Sequence, residues 1–297
     1  MRVAVVGTGV IGASWTTLFL AHGHEVVATD PAPGAEERFR AVLAEQGADP
    51  GAPEFTADLA AAVRDAGFVQ ENGPERPEAK DEIFAVLDAA APPAAVLASS
   101  SSGIPPSRVQ QACARHPERV LIGHPFNPPH LIPLVEVVPG ERTGEDAVRA
   151  AMDFYTSLGK RPIRLRAELP GHIANRLQAA LWREAYSLVD QGVATVADID
   201  AAITHGPGLR WALIGPFLGQ HLSGGAGGIA HVLEHLGPPM EDWWGTLGDP
   251  RLTPGLKEKI IAGVRDELGG SAEAAVSTER DALLHLLLDA KSRTDHL

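Results

Sequence analysis

The sequence predicts an α/β fold: a doubly wound, mostly parallel sheet over residues 1–167, followed by an all-helical domain over 168–297. Three observations predict it. Short β-rich apolar runs alternate with helical stretches between Val3 and Leu165, as strands joined by crossover helices do. Past Glu168 the strand signal ends and only helical periodicity remains. A turn with glycines at positions 7, 9 and 12 joins the first strand to the first helix.

Taken in order, Val3 to Val6 is a strand closed by Gly7, and a helix follows from about Ile11 to Ala21. Glu25 to Thr29 is the second strand, ending at Asp30. The pattern repeats with a strand from Gly67 to Gln70, a helix from Glu78 to Ala89, a strand from Ala95 to Ala98 and a helix from about Ser107 to Arg115. Arg119 to Ile122 and Leu134 to Val138 are further strands, and a helix from Glu145 to Leu158 leads to Pro162 to Leu165. Beyond the boundary, Pro170-Gly171 opens a long amphipathic helix that carries Ile173, Leu177, Leu181 and Leu188 on one face. Thr195 reads as an N-cap with Asp198 at the third helical position. Glycines between Ser223 and Gly228, then Pro238-Pro239 and Pro250, punctuate the remaining helices, the last from about Ala272 to Leu288.

Composition excludes several functions. A net charge of −13 suits neither nucleic acid nor an anionic membrane surface. The single cysteine, Cys113, rules out an internal disulfide framework and a multi-cysteine zinc site, and fits a reducing, cytoplasmic setting. No run reaches the roughly 18 apolar residues of a membrane helix. The opening VAVVGTGVIGA imitates a secretory signal, but no small-x-small cleavage site precedes the polar stretch from His22 to Glu25, and the glycine spacing explains it better.

That spacing is a phosphate loop. Gly7 allows the tight turn, Gly9 lets the backbone approach a pyrophosphate, and Gly12 permits close helix–strand packing. The helix begins at Val10 and Ile11, so its free N–H groups and positive dipole end face the phosphate. Asp30, eighteen residues after Gly12, ends the next strand where a carboxylate meets the adenosine ribose 2′-OH. The expectation is a Rossmann-type dinucleotide domain taking NAD, because an acid there repels the 2′-phosphate of NADP. Glu71, next after the strand Gly67 to Gln70, is placed with the cofactor-binding residues.

The second informative stretch is His124-Pro125-Phe126-Asn127-Pro128-Pro129-His130, at the carboxyl end of a strand, where open parallel sheets bind ligands. Twelve residues on, Glu136 interrupts the apolar strand Leu134 to Val138, and a carboxylate there is costly to bury unless paired. His124 is a candidate partner, and such a pair can take a hydroxyl proton. Spacing alone leaves open an unrelated loop histidine and an edge-strand glutamate.

With HPFNPP, LVEVV and Pro170-Gly171-His172-Ile173-Ala174-Asn175-Arg176-Leu177 added to the glycine turn, the chain resembles the L-3-hydroxyacyl-CoA dehydrogenase superfamily nearly end to end. The resemblance implies that His124 is the general acid/base and Glu136 its partner. It also implies that Asn175 positions substrate and that Ser102, in Ser99-Ser100-Ser101-Ser102, is the active-site serine. A homodimer built through the helical domain is implied in the same way. Two departures point within the family. The stretch Asp30 to Phe55 is short, has no lysine and carries Glu36, Glu37, Glu45 and Asp49, offering little to CoA phosphates. The stretch Gly206 to Ala212 followed by Ile214-Gly215-Pro216 looks like the λ-crystallin and L-gulonate 3-dehydrogenase branch, with its L-carnitine dehydrogenase relatives. Those act on free 3-hydroxy acids.

The expected activity is therefore NAD-dependent oxidation of the 3-hydroxyl of a small free hydroxy acid. The alternatives are a hydroxyacyl-CoA or carrier-thioester dehydrogenase and, in another class, a non-catalytic NAD-binding crystallin-like protein. Arg210 offers a planar fork for the substrate carboxylate, against the plainer reading of a surface arginine. His231-Val232-Leu233-Glu234-His235 matches a zinc-protease pattern, but without a further ligand it reads as a solvated helix face, and no metal is expected. His22 and His24 read as exposed turn residues, and Trp243-Trp244 as core or subunit interface.

Overall fold

The computed structural model describes residues 1–294. They divide into two compact units, Met1–Arg176 and the chain from Leu177 onward.

In the first unit eight strands form one sheet: β1 (Arg2–Val6), β2 (Glu25–Thr29), β3 (Glu54–Thr56), β4 (Phe68–Glu71), β5 (Val96–Ser99), β6 (Val120–Pro125), β7 (Leu134–Pro139) and β8 (Arg161–Arg164). Their order is β3-β2-β1-β4-β5-β6-β7-β8, and only the β6–β7 pairing is antiparallel. The first six positions repeat the doubly wound order of dinucleotide-binding sheets. The helices are α1 (Val10–Ala21), α2 (Ala35–Glu45), α3 (Leu59–Val63), α4 (Pro77–Ala90), α5 (Pro106–Val109) and α6 (Glu145–Ser157).

Strand alternation explains why both faces are covered. On β1, Val3 and Val5 pack with Trp15 and Phe19 of α1 and Phe154 and Tyr155 of α6. Ala4 and Val6 face the other way, toward Ala62 and Val63 of α3 and Phe84 and Leu87 of α4. A strand buried on both faces reads as a continuous apolar run, as VAVV does. The sequence reading overlooked β3, α2 and α3. At three residues, Glu-Phe-Thr, β3 is too short to show a period, and it forms the sheet edge beside β2.

The second unit contains most of α7 (Ala174–Asp190), then α8 (Val196–Thr204), α9 (Pro207–Trp211), α10 (Pro216–Ser223), α11 (Gly228–Trp244), α12 (Pro254–Leu268) and α13 (Glu273–Ser292). Thr195 caps α8 in a reciprocal box with Asp198. Pro238 and Pro239 do not end a helix: both lie inside α11, whose turns on either side hold it together despite two missing N–H donors. Unit one extends past the expected boundary at 167, because residues 172–174 bind groups of the sheet domain. Among the described residues no helix is long and apolar enough to cross a membrane.

Candidate active site

The antiparallel β6–β7 register sets His124 directly opposite Glu136. Alternation puts both on one face, with Ile122 and Val138 beneath them, while Val135 and Val137 turn to the α1–α6 face. Facing side chains at such a position meet, and His124 Nδ1 lies 2.9 Å from Glu136 Oε2. Both side chains are buried. The other oxygen, Oε1, accepts from the backbone amides of Ile173 at 2.8 Å and Ala174 at 3.0 Å, where α7 begins. Burial pushes the Glu136 carboxyl up, but the His124 hydrogen bond and those two amides outweigh it and hold it below the usual carboxylate range. A carboxylate only accepts, so His124 carries its proton on Nδ1, and Nε2 presents a lone pair able to take a proton.

Asn175 follows in the first turn of α7 and is half-buried. Ser102 is exposed in the loop after β5. Glu75 holds that loop: it accepts from the amides of Ser102 (3.1 Å), Gly103 (2.7 Å) and Ile104 (3.3 Å) and from the Ser101 hydroxyl (2.7 Å). Although burial raises its pKa, the Ser101 hydroxyl and the Gly103 amide keep the Glu75 carboxyl lowered overall.

Glu71 requires a correction. Its side chain is wholly buried, with Lys80 Nζ at 2.7 and 2.8 Å, Ser99 Oγ at 2.6 Å and the Gly73 amide at 2.5 Å. Those donors saturate the carboxylate, so Glu71 shapes the turn after β4 and leaves no oxygen for a cofactor. A strand running one residue further than expected, to Glu71, draws this side chain into the interior.

Sequence reasoning also passed over groups that brace the site. Gln70 donates to Ser100 Oγ (2.8 Å) and to the Gly123 carbonyl (3.2 Å), and accepts from the Tyr155 hydroxyl (2.7 Å), tying β4, β5 and β6 together. Lys160 is buried over the Trp15 ring and donates to the carbonyls of Pro129 and Ile132 (2.7 Å to the latter), holding the loop after His124. Burial lowers its pKa to about 8. His130 in the same loop binds Ser14 of α1, its Nδ1 2.7 Å from Ser14 Oγ. The only advance signal for any of these is a polar residue placed within or next to an apolar strand.

The glycine turn fits a dinucleotide. Gly7 has φ +84°, and a Cβ there would meet the Asn72 carbonyl at 2.7 Å; one at Gly12 would lie 1.9 Å from the Gly7 carbonyl. These two are fixed by packing. A Cβ at Gly9 would meet nothing within 4 Å, so the space before α1 is open for a phosphate. No side chain caps α1; Val10 is exposed and Ile11 half-buried in its first turn. Asp30 lies at the end of β2, with its Oδ2 accepting from the Thr8 amide at 3.0 Å and the Thr8 hydroxyl at 3.1 Å.

In the helical unit, Arg210 of α9 lines a cavity of about 630 Å³ with Pro207, Trp211, Ile214 and Gln220. Its side chain has no ion pair or hydrogen bond among the described residues. The His231 and His235 rings lie 4.0 Å apart at a tilt of 37°, and His235 Nδ1 lies 3.0 Å from the His231 carbonyl. Among the described residues no three His, Cys, Asp or Glu side chains gather as a metal site.

A base oriented by a carboxylate, on a sheet whose first turn is shaped for a pyrophosphate, defines a nicotinamide-dependent dehydrogenase. The comparisons with known proteins give the family. Residues 2–168 match the profile described as 3-hydroxyacyl-CoA dehydrogenase, NAD binding domain, and residues 171–249 match the C-terminal domain of the same family. The chain belongs to the 3-hydroxyacyl-CoA dehydrogenase family, as its sequence motifs implied, and it is an NAD-dependent oxidoreductase acting on a CH–OH group. It is 48% identical to the L-carnitine dehydrogenase of Nocardiopsis dassonvillei, over 95% of this chain and 89% of that one. It is likewise 48% identical to the L-carnitine dehydrogenase of Streptomyces coelicolor, over 98% and 95%. Among solved structures, 5-formyl-3-hydroxy-2-methylpyridine 4-carboxylic acid 5-dehydrogenase, an NAD+ dependent dismutase, matches with TM-score 0.83 at 28% identity, covering 99% of each chain. The 3-hydroxyacyl-CoA dehydrogenase of Archaeoglobus fulgidus matches with TM-score 0.72 at 26% identity, covering 99% of this chain and 100% of that one.

Proposed function

We propose that this enzyme oxidises the 3-hydroxyl of a small free hydroxy acid of the L-carnitine type to the 3-keto acid. The observation that carries the reading is the buried His124–Glu136 pair at 2.9 Å, with the second Glu136 oxygen already taken by two backbone amides. NAD, when bound, supplies the hydride acceptor. His124 Nε2 takes the hydroxyl proton, and the Glu136 carboxylate stabilises the imidazolium that results. Ser102 and Asn175 hold the reacting oxygen, a positioning role. Glycines 7, 9 and 12, with the α1 amides at Val10 and Ile11, cradle the pyrophosphate, and Asp30 binds the ribose diol.

A free acid is favoured over a CoA thioester by α2 and by Arg210. The two arginines of α2 are engaged: Arg38 donates to the Pro33 carbonyl, and Arg40 pairs with Glu36. Little cationic surface is left there for CoA phosphates. Arg210 has no acid of its own and is free to read a carboxylate.

The functional unit is a cytoplasmic homodimer. Among the described residues from Leu177 onward, Val232 and Leu256 are the only buried hydrophobics, while Trp182, Trp211, Trp243 and Trp244 are exposed and Phe217 is 80% exposed. Apolar surface on that scale marks an interface. The test is NADH production with L-carnitine, D-carnitine, L-gulonate, 3-hydroxybutyrate and 3-hydroxybutyryl-CoA in parallel. The highest kcat/KM is expected on a free acid; a preference for the CoA thioester would overturn the reading. Light scattering should give twice the chain mass.

A further inference from the structure

His172 has no part in the proton transfer described above, yet it contacts both the His124 ring and the loop that carries Ser102. It is 2% exposed, and its backbone is in the left-handed region at φ +52°, directly after Gly171 at φ +76°. A non-glycine residue there is uncommon, and its neighbours must hold it in place. Its ring centroid is 5.0 Å from that of His124. Its Nε2 lies 3.1 Å from the carbonyl oxygen of Ser101, in the loop that presents Ser102. The next two residues donate the amides that bind Glu136. Its Nδ1 is buried with no partner.

These contacts determine the ring's chemistry. A carbonyl oxygen only accepts, so the proton is on Nε2. With Nδ1 buried and unpaired, a second proton would place a cation whose Nδ1–H has no acceptor against the His124 ring. The groups facing the ring are His124 on β6, Glu136 on β7 and Glu75 in the turn after β4. Burial is the largest influence and lowers the His172 pKa; His124 lowers it further, and the Ser101 carbonyl and the two carboxylates do not restore it.

We propose that His172 is a positioning residue for the dehydrogenation: an imidazole that donates from Nε2 and ties the serine loop to the His124–Glu136 pair. It fixes Ser102 relative to the base through one hydrogen bond. Its neutral ring also keeps a second positive charge away from His124, so the proton taken from substrate is the only one the pair has to accommodate. A simple packing role would be met by any ring of that size. The role inferred here needs a donor at the Nε2 position.

The proposal rests on the catalytic reading of His124, and two measurements separate the two ideas. The first uses ring-15N histidine NMR of the whole protein, with His172 assigned by comparison with His172→Phe. His172 should carry its proton on Nε2 and take up a second one only below the range of an ordinary histidine. This readout needs no substrate. Titration in the normal range, or a proton on Nδ1, would overturn the proposal even if turnover on every acid behaves as expected. The second compares His172→Phe with His172→Gln, whose side-chain amide can donate near the Nε2 position. His172→Phe should lower kcat about tenfold or more, with NADH affinity changed less than about twofold, and His172→Gln should recover most of the loss. If His172→Phe stays within about twofold of the parent, or if both variants lose activity and NADH affinity alike, the residue only packs. The expected NMR result with no activity on any free acid would count against the substrate reading alone.

Discussion

Replacing Glu136 by glutamine tests the centre of the mechanism with little change in volume. The carboxylate uses both oxygens: Oε2 meets His124 Nδ1 at 2.9 Å, and Oε1 takes the Ile173 and Ala174 amides at 2.8 and 3.0 Å. Glutamine has one oxygen and one NH2 to offer three N–H donors. If its oxygen stays with the two amides, the NH2 faces His124 and forces the proton onto Nε2, which removes the base. If the oxygen turns to His124, the NH2 points at two backbone donors and α7 is pushed away. The first arrangement costs the general-base contribution, roughly 10²–10⁴-fold in kcat or about 3–5 kcal/mol. The second keeps the tautomer but removes the charge that stabilises the imidazolium and displaces the start of α7 that carries Asn175. Loss of the charge-assisted bonds should also destabilise the fold by about 2–4 kcal/mol.

The sign with pH follows from the lowered Glu136 pKa. The carboxyl is ionised in the folded protein at pH values where it is protonated in the unfolded chain. Its contribution is therefore complete above the unfolded value of about 4.5 and is lost as pH falls through the folded value. The variant should lack that part of the acid loss. The assay is NADH formation on the best acid, with NADH fluorescence for cofactor binding and urea unfolding at several acid pH values. Glutamine retaining more than about a tenth of the parent kcat would refute the reasoning, because no tautomer of His124 would then be required.

Further expectations concern the cofactor, the carboxylate and the buried lysine. Asp30→Asn should raise the NADP-to-NAD ratio of kcat/KM by roughly 10–100-fold, since one like-charge repulsion goes while the acceptor to Thr8 remains; equal use of both cofactors by the parent would contradict the assignment. Arg210→Met should lower kcat/KM on the free acid by about 10–100-fold, the worth of a charged hydrogen bond, and on its neutral ester far less; equal losses would assign Arg210 to the fold. Lys160, with its pKa lowered by burial to about 8, releases its proton in the folded protein before the unfolded chain does. Between that value and about 10.5 this group makes stability rise with pH, by roughly 3 kcal/mol in all. Urea unfolding of Lys160→Met should lack that rise, and an unchanged pH dependence would show that Lys160 is not a buried cation.

The sheet domain was legible because its physics is local. A strand covered on both faces must be apolar along its length, so VAVV, VLAS and LVEVV identify themselves. The glycines of the first turn are needed for reasons that hold in any such turn. Glu136 was visible as an acid in an apolar strand, and His124 as its partner only by twelve-residue spacing; what the spacing could not give is the register that sets them face to face. Glu71 looked equally available in sequence and is not, because a buried Lys80 nine residues away takes its charge. Lys80, Glu75, Gln70 and His172 were missed for the same reason: each acts on a partner brought near by the sheet order.

The helical half was legible in a different sense. Leu177 and Leu181 follow the apolar spacing of a buried stripe, yet both are exposed on this chain, as are Trp243 and Trp244. Helical periodicity records that a face is covered in the working protein, and it carries no information about which surface covers it. The same amphipathic pattern serves a face packed within one chain and a face packed on a second copy. With so few hydrophobics buried from Leu177 onward, the helices of one chain leave their stripes without the burial that normally stabilises an amphipathic helix. In the homodimer proposed above, association of two chains supplies it, and the stability of this half would then depend on protein concentration. Dilution should therefore unfold the helical unit before the sheet domain, whose core is complete within one chain.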